Sequence, residues 1–372
     1  MKVARLNRRS IQRHCWPVHR PASHFVNSIR VLWPLLLLLT TASCATPRTS
    51  HTELNRCEYQ QLQMGLEFRI VLYAPDQKTA DAAASAAFRR IAQLNKIMSD
   101  YDPDSELSKL SRSSGQGLAV AVSEDLWRVL KRSQDLAERS GGAFDVTVGP
   151  CVNLWRKARR ELKMPDAVRL AAARQAVGYQ HVRLDSKRRT VQLLVPDMRL
   201  DLGGIAKGYA VDEALKVLRG LGINRALVAG GGDTAVWDPP PGRGAWRIGI
   251  TPLDATNAPL ARMVLLTHAA IATSGDTFQR LEIDGKRYSH VLDPRTGIGL
   301  TDHSLVSVIA RDCMTADSLT KVVSVLGPEE GLKFIKKTRG VATRIVRQPG
   351  EKIETYESGR FAGYYAPAQR VE

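Results

Sequence analysis

The sequence predicts an α+β fold built from mixed sheets with flanking helices, and three observations lead to it. The 372 residues are 44% hydrophobic and 24% charged, which supports a packed core and excludes disorder. Apolar residues recur at helical spacing in the segment that follows Asp76, and Ser123 and Asp166 open further helices, whereas from His181 onward the pattern changes to short strands. Strands and helices do not alternate in a regular βαβ repeat, so a doubly wound parallel sheet is disfavoured.

The chain opens with Lys2, Arg5, Arg8, Arg9, Arg13, Arg20 and Arg30, all ahead of the first acidic residue. Then come Val31-Leu32-Trp33-Pro34, the run Leu35 to Leu39, and Thr40-Thr41-Ala42-Ser43-Cys44. Basic, apolar and small residues in that order read as an export signal over residues 1–43. A bilayer-spanning helix needs about 20 apolar residues, so this run is expected to be cleaved and not retained as a span. Ala42-Ser43-Cys44 resembles the end of a bacterial lipobox, in which the cysteine is acylated. Thr41 stands where leucine is usual, so cleavage near Ser43 to give a soluble product stays open. Asn7-Arg8-Arg9-Ser10-Ile11 touches the twin-arginine pattern, although its apolar run lies far downstream. Residues 44–56 read as a tether, and the expected location is the periplasmic side of a membrane, anchored through Cys44.

The leader accounts for much of the net charge of +17. Arg156-Lys157-Ala158-Arg159-Arg160 reads as a solvated face, or as a patch for acidic partners or anionic headgroups. No interleaved aromatic pattern supports stacking on bases, so nucleic acid is not an expected partner. Five cysteines, at 15, 44, 57, 151 and 313, lack metal-site spacing. Cys57, Cys151 and Cys313 read as isolated thiols.

The folded body is expected over 57–372. Leu66, Phe68, Ile70 and Leu72 alternate as in a half-buried strand. Asp76 can cap a helix whose Phe88, Ile91, Leu94 and Ile97 share a face. Ser123, followed by Glu124 and Asp125, opens a helix toward Arg139, and Asp166 opens another that stops at Gly178. Short strands follow at His181–Asp185, Thr190–Val195, Arg225–Ala229, Trp246–Ile250, Met263–Leu266 and Ser304–Ala310. Helices at about Ile205–Arg219 and Asp317–Leu326 interrupt them. Pro239-Pro240-Pro241-Gly242 marks an exposed loop.

The densest chemical signal is Asp201-Leu202-Gly203-Gly204-Ile205-Ala206-Lys207-Gly208. A carboxylate precedes two glycines and the first turn of a helix bearing a lysine. Glycines allow close backbone approach, a helix start attracts phosphate, and the ammonium adds a mobile charge. The pattern suits a nucleotide diphosphate or a tight structural turn. It is neither a Walker A loop nor the G-x-G-x-x-G fingerprint.

Three further clusters join small residues to reactive ones: Gly141-Gly142-Ala143-Phe144-Asp145-Val146-Thr147, Thr273-Ser274-Gly275-Asp276, and Tyr288-Ser289-His290-Val291-Leu292-Asp293-Pro294-Arg295-Thr296-Gly297. Met64-Gly65, Ser105-Glu106-Leu107, Gly230-Gly231-Gly232-Asp233 and Ala316-Asp317 complete the order. Together they resemble the ApbE family, the FAD:protein FMN transferases, over about Met64 to Ile345. The resemblance implies a two-lobed α+β fold with FAD in a cleft between the lobes and magnesium on its diphosphate. The FMN half would pass to a threonine or serine hydroxyl of a partner protein, with release of AMP. It implies flavin and adenine contacts at Met64, Tyr101, Ala143, Phe144, Asp145, Asp201, Lys207 and Leu292. Lys207 and Asp276 fall in the expected catalytic group. His290 is the candidate to accept the hydroxyl proton, because imidazole titrates near neutrality.

The resemblance places the metal on the backbone carbonyl of Gly204, on Asp317, and on a threonine four residues later. This chain has Lys321 there. Thr320, one residue earlier, is turned by about 100° on a helix, and an ammonium has no lone pair for a metal. Asp317 and Lys321 share a helix face, expected to lie opposite the inward-packing Leu319, Val322, Val323 and Leu326. Two readings follow: a solvated ion pair, or an ammonium standing where magnesium would be. The second leaves open a slower or metal-independent transferase, an FAD-binding or flavin-delivery lipoprotein, or an FAD pyrophosphatase. The family's acceptor pattern, Ser or Thr followed by Gly-Ala-Thr, does not occur in this chain, so the expected acceptor is a separate exported or membrane protein.

Overall fold

The computed structural model describes residues 12–16, 53–253, 262–275 and 280–367. Cys44, most of the leader and Asp276 lie outside them. Within the described residues every strand ladder is antiparallel, apart from one isolated parallel bridge between Val148 and Arg199. The sheets therefore differ in size and not in strand direction.

The order along the chain begins with strands β1 (Gln12–Trp16), β2 (Asn55–Gln63) and β3 (Leu66–Ala74). Met64 and Gly65 both adopt positive φ, 50° and 76°, which closes a two-residue hairpin between β2 and β3. Asp76 caps α1 (Gln77–Met98) by accepting the Thr79 N–H at 2.7 Å. Ser105 caps α2 (Glu106–Arg112), and after β4 (Val120–Ala121) Ser123 caps α3 (Glu124–Arg139), as expected. Then follow α4 (Gly149–Glu161), α5 (Ala167–Gln175) with its Asp166 cap, β5 (Val182–Asp185) and β6 (Thr190–Leu193).

The second half holds α6 (Ala206–Gly220), β7 (Ala226–Gly230), β8 (Asp233–Val236), β9 (Trp246–Gly249), β10 (Met263–Leu266) and β11 (Ala269–Gly275). A run of short strands follows: β12 (Arg280–Ile283), β13 (Lys286–Ser289), β14 (Leu292–Asp293) and β15 (Ile298–Gly299). The chain ends with β16 (Ser304–Ala310), α7 (Cys313–Lys336), β17 (Ala342–Arg347) and β18 (Glu354–Glu357). Helix α7 starts four residues ahead of the expected Asp317. Asp312 caps it, and Asp212 of α6 accepts the Cys313 and Met314 N–H groups, each at 2.8 Å. It breaks at Gly327, whose φ of 74° precedes Pro328, close to the expected end at Leu326.

Nine strands form the main sheet in the order β1-β2-β3-β7-β8-β11-β16-β17-β18. Both faces of this sheet are covered. On one, Phe68, Ile70, Leu72, Val228 and Val308 pack with Ile91, Leu94, Val211 and Leu319 of α1, α6 and α7. On the other, Val71, Tyr73 and Leu227 pack with Trp246 and Phe361. That double coverage is why the end of β3 is apolar without alternation. Arg90 of α1 joins Asp125 of α3 at 2.5 Å and Glu213 of α6 at 2.6 Å, so one guanidinium ties three helices. A smaller core forms the second lobe: Cys151 and Trp155 of α4 pack with Leu281 and Leu292, and the indole Nε1–H donates to Gly297 O at 2.8 Å.

Two expectations require correction. Arg156 is not part of a solvated face: its side chain is 16% exposed and pairs with Asp100 and Asp201. Cys57 is disulfide-bonded, whereas Cys151 and Cys313 are free and buried as expected. The strand β1 falls inside the segment read as an export signal, and its register sets Cys15 opposite Cys57. Among the described residues no helix is long and apolar enough to cross a membrane.

Helices α6 and α7 touch at Gly208. A side chain there would overlap the Cys313 carbonyl and bring its Cβ to 2.9 Å from Asp317 Cβ. Gly208→Ala is therefore expected to destabilise the fold by about 1–3 kcal/mol, read as a lower denaturant midpoint with an unchanged slope.

Candidate functional site

The site is built outward from the turn between Asp201 and α6. The Asp201 N–H donates to Val146 O at 2.7 Å, and its Oδ1 accepts the Gly203 N–H at 2.7 Å, which folds the two glycines back on themselves. Helix α6 then begins without a side-chain cap at Ile205. The Gly208 N–H in its first turn instead donates to Asp317 Oδ2 of α7 at 3.2 Å. The tight turn is present, and the expected helix follows it directly.

Four charged groups meet at that junction. The Lys207 ammonium lies 3.0 Å from Asp317 Oδ2 and 3.2 Å from Oδ1, and donates to Gly203 O at 3.0 Å. The Lys321 ammonium lies 2.6 Å from Asp317 Oδ1 and 3.1 Å from Thr320 Oγ1. Asp233, at the start of β8, has its Oδ2 3.3 Å from Lys207, too poorly aligned for a hydrogen bond. Asp317 is fully buried, so the face it shares with Lys321 is not the solvated one that a simple amphipathic pattern implies. The first half of α7 is enclosed between α6 and the sheet, with Thr315, Ala316, Ser318, Leu319 and Thr320 buried as well.

The electrostatics follow from that enclosure. Burial alone would raise the Asp317 carboxyl, but Lys207 and Lys321 outweigh it and hold the group well below the usual carboxylate range. Burial likewise disfavours the charge on Lys207, and Asp233 and Asp317 outweigh that, raising its pKa. Asp233 is pushed up to about 7 by burial and then by the charge of Asp317, against the pull of both lysines.

A second constellation adjoins the first through Asp201. Arg156 of α4 donates to Asp201 Oδ2 at 2.9 Å, pairs with Asp100, and lays its guanidinium over the Tyr101 ring at 4.2 Å. Tyr101, itself 75% exposed, is thereby linked to Asp201 through the guanidinium. The Asp201 carboxyl is raised by burial and then by the Asp100 charge, with Arg156 the largest opposing influence.

Of the remaining expected residues, Phe144 and the Met64 turn reach this centre, whereas Asp145, Leu292 and His290 have no contact with its charged groups among the described residues. An added Cβ at Gly204 would stand 3.3 Å from Phe144 Cε2, so that buried ring lies against the glycine turn. One at Gly231 would stand 2.5 Å from Leu66 Cδ1 and 3.5 Å from Lys207 Cδ, which sets the Met64–Leu66 turn beside the lysine stem. Ala143 is buried. Asp145 is committed to its own loop: Oδ1 accepts the Thr147 N–H and hydroxyl at 2.8 and 2.7 Å, and Oδ2 accepts the Tyr179 N–H at 2.7 Å. Burial raises its carboxyl despite those bonds. This loop lines an open cleft of about 480 Å³ together with Gly142, Tyr179, Arg174 and Arg295. Leu292 is buried in the smaller core, and His290 is half-buried on the link between β13 and β14.

Arg156, Asp100 and Asp233 belong to the site and were not singled out as site residues by sequence reasoning. Gly230-Gly231-Gly232-Asp233 enters sequence reasoning only through its place in the family's motif order; it forms the turn between β7 and β8. The pairing of Arg156 with a carboxylate 45 positions away has no local signal.

The pattern of the ApbE family matches residues 64–345. The chain is 33% identical over 306 residues to an FAD:protein FMN transferase of Klebsiella pneumoniae (strain 342), covering 80% of this chain and 86% of that one. It is 32% identical over 303 residues to an FAD:protein FMN transferase of Escherichia coli (strain K12), covering 76% and 83%. Among solved structures it resembles the flavin transferase ApbE of Vibrio cholerae with a TM-score of 0.75 at 30% identity, over 84% of this chain and 99% of that one. The ApbE protein of Thermotoga maritima gives 0.74 at 29% identity, over 84% and 99%.

Removing the guanidinium tests the second constellation. Arg156→Met leaves Asp100 and Asp201 facing each other without a cation, and is expected to cost about 2–3 kcal/mol at pH 7. Because the Asp201 carboxyl is already raised, the penalty belongs to the ionised form: it shrinks as pH falls through the raised folded-state value and is gone at about the unfolded-state value near 4. Denaturant melts of both proteins from pH 8 to pH 4 are expected to converge at the acid end.

Proposed function

The chain belongs to the ApbE family, and from that premise we infer its activity: it is an FAD:protein FMN transferase. FAD is the substrate, and the FMN half is joined to an acceptor protein. The observation that carries the assignment to this site is the Gly203–Lys207 turn, where two ammonium groups and a helix start converge.

In the reaction an acceptor hydroxyl oxygen, of threonine or serine, attacks the phosphorus on the FMN side of the diphosphate. The bond from that phosphorus to the bridging oxygen breaks, AMP leaves with that oxygen, and the hydroxyl proton passes to a base. Such a transfer depends on alignment and on compensation of charge on the non-bridging oxygens. Lys207 suits that compensation because Asp233 and Asp317 keep it protonated and Gly203 O fixes its direction. Phe144 supplies apolar surface at the glycine turn, and Leu66 of the Met64 turn does so near the Lys207 stem. Tyr101, stacked on Arg156, offers an exposed ring to a flavin or adenine. His290 is the proposed base. Asp276, proposed for the same group, lies outside the described residues.

The family resemblance implies magnesium on Gly204 and Asp317, and the residues here do not fit it. Asp317 already accepts from Lys207, Lys321 and the Gly208 N–H, and the position four residues later is an ammonium. Among the described residues no three His, Cys, Asp or Glu side chains group to hold a metal ion. The catalytic argument is therefore carried by the side chains alone.

Export of the chain, with lipidation at Cys44 and residence on the periplasmic side of a membrane, remains part of this proposal. It is supported by the order of residues in the leader. Cleavage before Cys44 would remove β1 and leave β2 as the sheet edge. Mass spectrometry of the mature N-terminus is expected to find an acylated Cys44, and an intact leader would overturn the anchor.

Activity is tested by incubating the protein with FAD and an acceptor peptide carrying the Ser/Thr-Gly-Ala-Thr pattern. Covalent flavin fluorescence on the peptide with stoichiometric AMP is expected. Free FMN plus AMP would indicate a pyrophosphatase, and unchanged FAD a binding protein. His290→Ala is expected to lower the transfer rate about 10²–10⁴-fold, and near wild-type turnover would remove His290 from the base role.

A further inference from the structure

We propose that Lys321 replaces the divalent cation in this protein, so that the FAD diphosphate is bound by two tethered ammonium groups without a metal ion. The proposal rests on the transferase reading above and concerns the same site.

The path of the Lys321 side chain carries it. Its stem runs along the glycine turn: a Cβ added to Gly204 would lie 3.2 Å from Lys321 Cγ and 3.6 Å from Cε. The side chain is 17% exposed and its ammonium is 2.6 Å from a fully buried carboxylate. It is a built-in charge with a fixed approach, not a surface lysine folded onto a convenient acid. Gly204 is also the residue whose carbonyl the family resemblance assigns to the metal, so the ammonium comes from the expected side of the expected carboxylate.

The chemistry of the donors agrees. A divalent ion needs lone pairs, and Lys321 presents three N–H donors and none. Seating an ion on Asp317 would displace two ammonium groups, 18% and 17% exposed, from the partner that holds them. Lys207 and Lys321 together bring two positive charges, of which Asp317 offsets one, so the pair still leaves net positive charge to face a diphosphate diester. Neither forms an inner-sphere bond, so recognition is by charge-assisted hydrogen bonds of fixed direction. The α6–α7 pair thus supplies its own cation at this position.

The test titrates FAD into the full chain, with flavin fluorescence as the readout, in excess EDTA and again in excess magnesium. Wild-type affinity is expected to be the same in both. Lys321→Thr restores an oxygen four residues after Asp317. It is expected to weaken FAD binding about tenfold or more in EDTA, the scale of a lost charge-assisted hydrogen bond, and to recover in magnesium. Lys321→Met is expected to be weak in both, with circular dichroism checking that each variant is folded. Manganese binding followed by electron paramagnetic resonance gives a readout independent of flavin: stoichiometric binding is expected for Lys321→Thr and not for wild type. A wild-type protein that needs magnesium to bind FAD overturns the proposal while sparing the transferase reading. So does stoichiometric manganese binding by wild type that Asp317→Asn abolishes. Absence of FAD binding in both conditions overturns the transferase reading and this proposal together.

Discussion

A carboxylate with no exposed surface must be neutralised where it stands, and Asp317 is that group. Its two oxygens collect Lys207, Lys321 and the Gly208 N–H, so a single side chain connects α6 with α7 and with the glycine turn. The arrangement demands a glycine at 208, since any side chain would meet the Cys313 carbonyl and hold the helices apart. It also demands that the start of α7 be held firmly. Asp212 and Asp312 do this by accepting its first free N–H groups. The same contacts that hold the fold together therefore aim two cations at one place.

The larger architecture makes that burial possible. A sheet covered on both faces lets α7 sit between α6 and the strands, enclosing positions that would face water on a surface helix. The loop before α4 is tied to the glycine turn through the Asp201 N–H to Val146 O bond. Asp145 spends its hydrogen-bonding capacity on Thr147 and Tyr179, and so acts here by shaping the cleft wall. Asp201 works differently: one oxygen closes the glycine turn and the other reaches Arg156, which links the turn to Tyr101.

What was legible in the sequence follows the range of each interaction. Caps at Asp76, Ser123 and Asp166 act over three residues, and all three were readable. So were the turn and the helix start of Asp201 to Gly208, because glycine spacing and a helix start are local. The Arg156 pairing was not, since a basic run on a helix looks the same whether its first arginine points to solvent or to a carboxylate two elements away. The burial of Asp317 was missed for a related reason: helical periodicity finds one apolar face, and a helix enclosed on several sides has polar residues inward too.

A tethered ammonium and a bound metal ion solve the same electrostatic problem at different costs. An ion must be recruited from solution and stripped of water, but then forms short bonds to phosphate oxygens and follows them as charge shifts. A lysine confined by Gly204 and α7 has lost its conformational freedom on folding, so its cost is met before FAD arrives. Its charge is half as large and its donors point where the helix directs them. The exchange favours ready binding of the diphosphate over strong polarisation of the phosphorus under attack. The remaining compensation then falls on Lys207 and the helix start, which ties the chemistry more closely to the geometry of the α6–α7 junction.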